Sequence, residues 1–150
     1  MVAWERRRIL LAAAATMVAH AGRAQSPRKA ARIGIVFNTL PLAAVGGDKP
    51  REPLMREFLL GLRDDGWVEG RNIVIERRSA EGKLDRLESI VRELSQLPVD
   101  VIVVSGNAAT LAAKKATSTV PIVSSGMANP VETGIVSSLA HPGGNVTGIV

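Results

Sequence analysis

The chain of 150 residues contains no cysteine. That excludes disulfides, thiolate metal sites and a cysteine nucleophile. It also excludes a lipoprotein anchor, which needs a cysteine directly after the cleavage site. Tyrosine is absent too, and aromatic residues make up only 3%, so a core must be built from Val, Ile, Leu and Ala. After residue 24 the one histidine is His141, beside a Pro-Gly-Gly turn, where a lone imidazole is far more often solvated than catalytic. There is no G-x-S-x-G elbow, no P-loop and no set of His, Asp and Glu at metal-ligand spacing. Asp64 and Asp65 are neighbours on one helix, so they point in different directions and cannot work as a facing acid/base pair.

What is present fits one packed domain. The apolar fraction is 46% and the charged fraction 22%, which describes neither a disordered chain nor a membrane bundle. The formal charge of +5 is concentrated at the start, where Arg6, Arg7, Arg8 and Arg23 stand against Glu5 alone. Setting residues 1–24 aside leaves 15 basic against 13 acidic residues. That excess is too small and too interleaved for a nucleic-acid face, which needs clustered Lys and Arg.

Residues 1–24 read as a signal peptide. Arg6-Arg7-Arg8 form the positive region, Ile9 to Ala19 the apolar run, and Gly22-Arg23-Ala24 the small-residue cleavage site before Gln25. The apolar run is about half of the roughly 20 residues that a spanning helix needs. The Arg pair is compatible with either general or twin-arginine export. Residues 25–31 read as a short basic linker, and the expected location is the periplasm.

From residue 32 onward strand and helix signals alternate. Strands are expected at Arg32–Phe37, Asn72–Arg77, Val101–Val104, Pro121–Ser124 and from Val146 to Val150. Helices are expected over Glu52–Asp65, Leu84–Leu97, Ala108–Ala116 and Val131–Leu139. In the first helix Leu54, Met55, Phe58, Leu59 and Leu62 have helical spacing, Glu52 and Arg56 form an i,i+4 pair, and Gly66 takes the C′ position. In the second, Leu84, Leu87, Val91 and Leu94 share a face, and Asp85 and Glu88 have capping-box spacing. Asn107 is the expected N-cap of the third, with Lys114 and Lys115 at its C-terminal end. This repetition predicts an α/β fold, an open parallel sheet with helices on both faces. The chain stops inside the fifth strand, so a further part of the fold is expected beyond it.

Ligands of such sheets bind beyond the carboxyl ends of the strands. Three of these ends are polar here: Asn38-Thr39, Ser105-Gly106-Asn107, and Ser124 through Asn129. The second precedes a helix, whose N-terminal amides and partial positive charge suit a carboxylate or phosphate. A plain βα turn accounts for the same residues equally well. The first strand leads into Asn-Thr-Leu-Pro, not a Gly-rich turn, which argues against a dinucleotide cofactor.

Several segments in order resemble one family. Gly61 through Ile73 (GLRDDGWVEGRNI) is similar to a segment written GLRELGYVEGxNI in ABC transporter substrate-binding proteins, among them the tryptophan- and tyrosine-binding (TrpX-like) periplasmic members. Ala80 to Leu87, Val99 to Ala116 and Ala116 to Val123 follow the same family. Asn129 to Gly148 resembles its DPVxxGLVxSLARPGGNxTG segment. The resemblance implies the first lobe of a two-lobed, type I-like periplasmic-binding fold over residues 32–150, with the second lobe beyond. It implies a small ligand, an amino acid or other carboxylate, held between the lobes, an ABC membrane permease as partner, no cofactor and no catalysis. First-lobe ligand contacts would fall on Asn38, Ser105, Gly106, Asn107, Ser125 and Asn129. Asn129 and His141 stand where the family has Asp and Arg, and the loop from Leu40 to Pro50 is long for it. With no Tyr here, an aromatic ligand's ring would be left largely to the other lobe. Trp67 is expected to pack over the sheet edge. The competing readings are a flavodoxin-like or hydrolase-like α/β enzyme and a truncated remnant that binds nothing.

Overall fold

The computed structural model of the protein describes residues 29–150. The segment expected to be a signal peptide, 1–24, and residues 25–28 of the expected linker lie outside the described residues. Five strands form one parallel sheet: β1 (Ala31–Phe37), β2 (Ile73–Ser79), β3 (Val101–Val104), β4 (Ile122–Ser124) and β5 (Val146–Gly148). Their order is β2-β1-β3-β4-β5. The helices are α1 (Leu42–Val45), α2 (Pro53–Asp64), α3 (Leu87–Ser95) and α4 (Gly106–Ala116), with a 3-10 turn at Leu84–Arg86 leading into α3. The expected α/β architecture is therefore present.

Alternation along β1 builds two cores at once. Ile35 joins Val45, Met55, Leu59 and Ile75 under α2. Val36, one residue on, joins Val91, Leu94, Ile102, Val104, Ala109 and Ile122 under α3 and α4. The crossover out of β1 thus covers one face and the next two cover the other. Gly34 makes the second face possible, because a Cβ there would lie 2.6 Å from Leu94 Cδ2.

Local chemistry sets the ends of α2. Glu52 is its N-cap and Pro53 its first residue, where a missing N–H costs nothing. At the other end Gly66 N–H donates to Arg63 O at 2.9 Å and Trp67 N–H to Leu62 O at 2.7 Å, a Schellman closure. Met55 and Leu59 are buried as expected, but Leu54 is 71% exposed. The Glu52–Arg56 pair does not form. Arg56 Nη1 donates instead to the carbonyls of Pro50 and Arg51, at 3.2 and 2.8 Å. Charge-assisted bonds to fixed carbonyls outweigh an exposed ion pair, which contributes little.

Three other expectations are corrected. The helix expected from Leu84 starts only at Leu87, and Leu84 is 51% exposed. Asp85 sits inside the 3-10 turn and caps nothing. No helix forms over 131–139. Asn129 at φ +46 enters the segment left-handed, and Gly134, Ile135 and Val136 then donate to Val131, Pro130 and Pro130. Those bonds span three, five and six residues, so no i,i+4 ladder propagates. Trp67, expected to pack over the sheet edge, retains 41% exposure and shares a shallow depression with Leu59, Leu62 and Arg63. Lys115 pairs with Glu88 across α3 and α4 at 2.8 Å, and that hydrogen bond and charge hold the Glu88 carboxyl below its usual range.

Gly34 and Leu94 should behave as a coupled pair. Gly34→Ala is expected to cost about 1–3 kcal/mol by overpacking, and Leu94→Ala about 2–5 kcal/mol by opening a cavity. The double variant should cost clearly less than the two together, because the added methyl occupies part of the space the leucine leaves. Urea unfolding of the three variants measures this.

Candidate functional site

In the order β2-β1-β3-β4-β5 the chain adds β2 on one side of β1 and every later strand on the other. Connections leaving β1 and β3 therefore part to opposite faces and open a crevice at their carboxyl ends, the usual ligand position in such sheets. A cavity of about 330 Å³ occupies this place. Its polar groups come from Asn38, Thr39, Ser105, Ser125 and Glu52, and its apolar wall includes Phe37, Leu40, Leu54 and Phe58.

Asn38 follows the end of β1 and Ser105 the end of β3, and Asn38 Nδ2 donates to Ser105 O at 2.9 Å. The Asn38 Oδ1 atom is buried, and no donor among the described residues reaches it. Leaving a buried acceptor unmet costs about 1–3 kcal/mol. Ser105, not Asn107, is the N-cap of α4, and its hydroxyl makes no capping bond. Gly106 has φ +77, a conformation that a side chain would strain. Its N–H donates to Gly126 O at 2.8 Å. The amides of Asn107 and Ala108 follow in the first turn, where no intrahelical acceptor exists. Ser125 is exposed and lines the same cavity, with its N–H on Val104 O at 2.9 Å.

Asn107 has a different place. Its Nδ2 donates to Ala128 O at 2.7 Å, and its Oδ1 accepts from Ala128 N–H at 2.9 Å. The side chain clamps the loop after β4 to the start of α4. Beneath it Thr110 and Ser124 are fully buried. Thr110 Oγ1 lies 2.7 Å from Gly106 O and 3.0 Å from Ser124 Oγ, and Ser124 Oγ donates to Gly126 O at 3.2 Å. Asn129 is exposed in a separate depression of about 410 Å³, with Met127, Val131, Leu139 and Val150. The structure thus brings Asn38, Ser105 and Ser125 into one cavity lining, sets Gly106 outside that lining with its N–H on Gly126 O and Asn107 beside it as a clamp, and leaves Asn129 apart.

Sequence reasoning missed the α2 wall. Leu54, Phe58 and Glu52 line the cavity, and the signal was the position of Leu54, adjacent to the buried Met55/Leu59 stripe. The chain's two phenylalanines, Phe37 and Phe58, both line it, so the cavity carries aromatic surface of its own.

Residues 50–150 match the sequence profile of the ABC transporter substrate binding protein family. The chain belongs to that family. Among relatives of these substrate-binding proteins, a tyrosine-binding protein of Clostridioides difficile (strain R20291) is 35% identical over 91 residues, which are 61% of this chain and 26% of that protein. The ligand-free, open structure of CD0873, a substrate-binding protein with adhesive properties from Clostridium difficile, aligns with TM-score 0.66 and 27% identity over 79% of this chain and 38% of that one. A conserved domain protein from Vibrio cholerae aligns with TM-score 0.65 and 28% identity over 80% of this chain and 38% of that one. An ABC domain from Streptococcus pneumonia in complex with L-Trp shares the fold, with TM-score 0.65 and 23% identity over 80% of this chain and 38% of that one. The chain spans well under half the length of each of these substrate-binding proteins and structural neighbours.

The clamp and the buried hydroxyls should matter for stability as well as for the shape of the site. Thr110→Val is expected to cost about 1–3 kcal/mol, since it strands the buried Ser124 hydroxyl and the half-buried Gly106 carbonyl, and Asn107→Ala about 0.5–1.5 kcal/mol, since Ala128 is exposed and its backbone can bond water instead. Chemical denaturation reads the loss.

Proposed function

We propose that this chain is the ligand-binding front lobe of the solute-binding component of an ABC importer, and that its ligand is an amino acid or another small carboxylate. The observation that carries the reading is the cavity at the β1/β3 crevice, lined by Ser105, the N-cap residue of α4, whose hydroxyl makes no capping bond. A carboxylate placed there accepts from the Asn107 and Ala108 amides and from the Ser105 hydroxyl, and from the Ser125 hydroxyl once that turns away from Val104 O, 3.3 Å from it, and the helix dipole favours its charge. The apolar wall of Phe37, Leu54 and Phe58 suits a large side chain on the same ligand.

A second lobe, contributed by sequence beyond residue 150, would close over the crevice and supply the opposite wall. The likeness to longer substrate-binding proteins supports that arrangement. So does the relative named for tyrosine binding, since an aromatic amino acid has the carboxylate and the apolar bulk that the cavity fits. Residues 32–150 then form the front lobe, 25–31 a linker and 1–24 a cleaved signal peptide that delivers the protein to the periplasm, where a membrane permease is its partner. Among the described residues no helix is long and apolar enough to cross a membrane. Binding without catalysis is the expected mode. His141 is exposed and lies outside the lining of the cavity.

A thermal-shift screen of the full-length protein against amino acids and small carboxylates tests this. A ligand that binds only the native state at a hundredfold excess over Kd adds about 2.7 kcal/mol. The S105A/S125A variant should bind the same ligand roughly tenfold more weakly, about 1.4 kcal/mol for the two lost hydroxyls. An unshifted Tm across the whole panel contradicts the proposal.

A further inference from the structure

We propose that Glu52 is the counter-charge for a cationic group on the bound ligand, and that it selects amine-bearing ligands over their deaminated analogues. The inference rests on the reading of the β1/β3 crevice as the ligand site and adds to it a specificity-determining residue.

Glu52 is the one charged side chain in the lining of the cavity, and it is half-buried. No Lys or Arg among the described residues forms an ion pair with it. The natural candidate, Arg56 one turn along α2, is engaged by the carbonyls of Pro50 and Arg51. Among the described residues the one hydrogen bond to the carboxylate is a long one, from Leu54 N–H at 3.4 Å to Oε1. An ionised carboxylate can accept about four hydrogen bonds, so most of its capacity is unused. Its position is nonetheless fixed. The Glu52 N–H donates to Ala44 O at 3.0 Å, and Pro53 at the first helical position sets the start of α2.

The cavity is therefore electrically two-ended. The β3 end presents donors, from Ser105, Ser125 and the start of α4. The α2 end presents an anion without a partner. Half-burial strengthens the attraction of that anion for a cation relative to open water. A carboxylate left unpaired at the mouth of an apolar cavity disfavours a neutral or anionic group placed beside it, so the same residue both attracts the amine and discriminates against its absence. A helix cap alone would require only the Leu54 contact, which a glutamine also makes.

The full-length protein is titrated calorimetrically with tyrosine, tryptophan and the deaminated aryl-propionates of the same two rings. The wild type should prefer the amines by roughly tenfold or more. E52Q should lose most of that preference by weakening the amines alone, and E52D, which keeps the charge and a capping oxygen, should retain part of it. If E52Q weakens both ligand classes alike, Glu52 is only a helix cap and the assignment is overturned. Amine affinities unchanged in E52Q overturn it as well. If none of the four compounds binds the wild type, the amino-acid reading of the cavity fails first and the Glu52 assignment falls with it.

Discussion

A parallel sheet adds each new strand through a crossover, and a crossover can lie on only one face. Between β1 and β3 the direction of strand addition reverses, so the two connections part to opposite faces. The site depends on that geometry. Asn38 and Ser105 are side by side because they follow the ends of the adjacent strands β1 and β3, and one hydrogen bond joins them across the crevice. The apolar alternation in β1 sustains the arrangement, with Ile35 facing α2 and Val36 facing α3 and α4. Without both cores, neither wall of the cavity would be held.

The two walls are held differently. On the β3/β4 side the loops are fastened to each other by the Asn107 clamp, by the Gly106 to Gly126 bond and by the buried Thr110–Ser124 pair. On the β1 side the loop is tied by Asn38 to Ser105 O, by Gly82 N–H to Asn38 O at 2.8 Å, by Ser79 Oγ to Leu40 O at 2.6 Å and by Arg56 to the carbonyls of Pro50 and Arg51. In the proposed binding mode both walls are therefore preorganised before a ligand arrives.

Strand positions and the parallel α/β class were legible in the sequence, because β-branched runs such as Arg32–Phe37 and Val101–Val104 alternate with helical spacing; the spatial order of the strands was not. The polar strand ends were legible for the same reason, since they follow directly from where the strands stop. Side-chain partners were not. Asn107 looked like a cap and is a clamp, because its partner Ala128 lies 21 residues away on another loop. Arg56 looked like the partner of Glu52, and nearby carbonyls outcompete the carboxylate. Val131–Leu139 has helical spacing, but a left-handed Asn129 sets a different path at its start. The α2 wall of the cavity escaped notice because an exposed Leu54 differs from a core leucine only in its position around the helix.

The account stands on the ligand occupying the β1/β3 crevice. The most direct measurement is a backbone amide NMR titration of the isotope-labelled full-length protein with tyrosine. The account predicts saturable shifts concentrated at Asn38, at Ser105 through Ala108, at Ser125 and along the first turns of α2, around Leu54 and Phe58. Saturable shifts confined to the depression around Asn129, Val131 and Leu139, with the crevice amides unmoved, would contradict it.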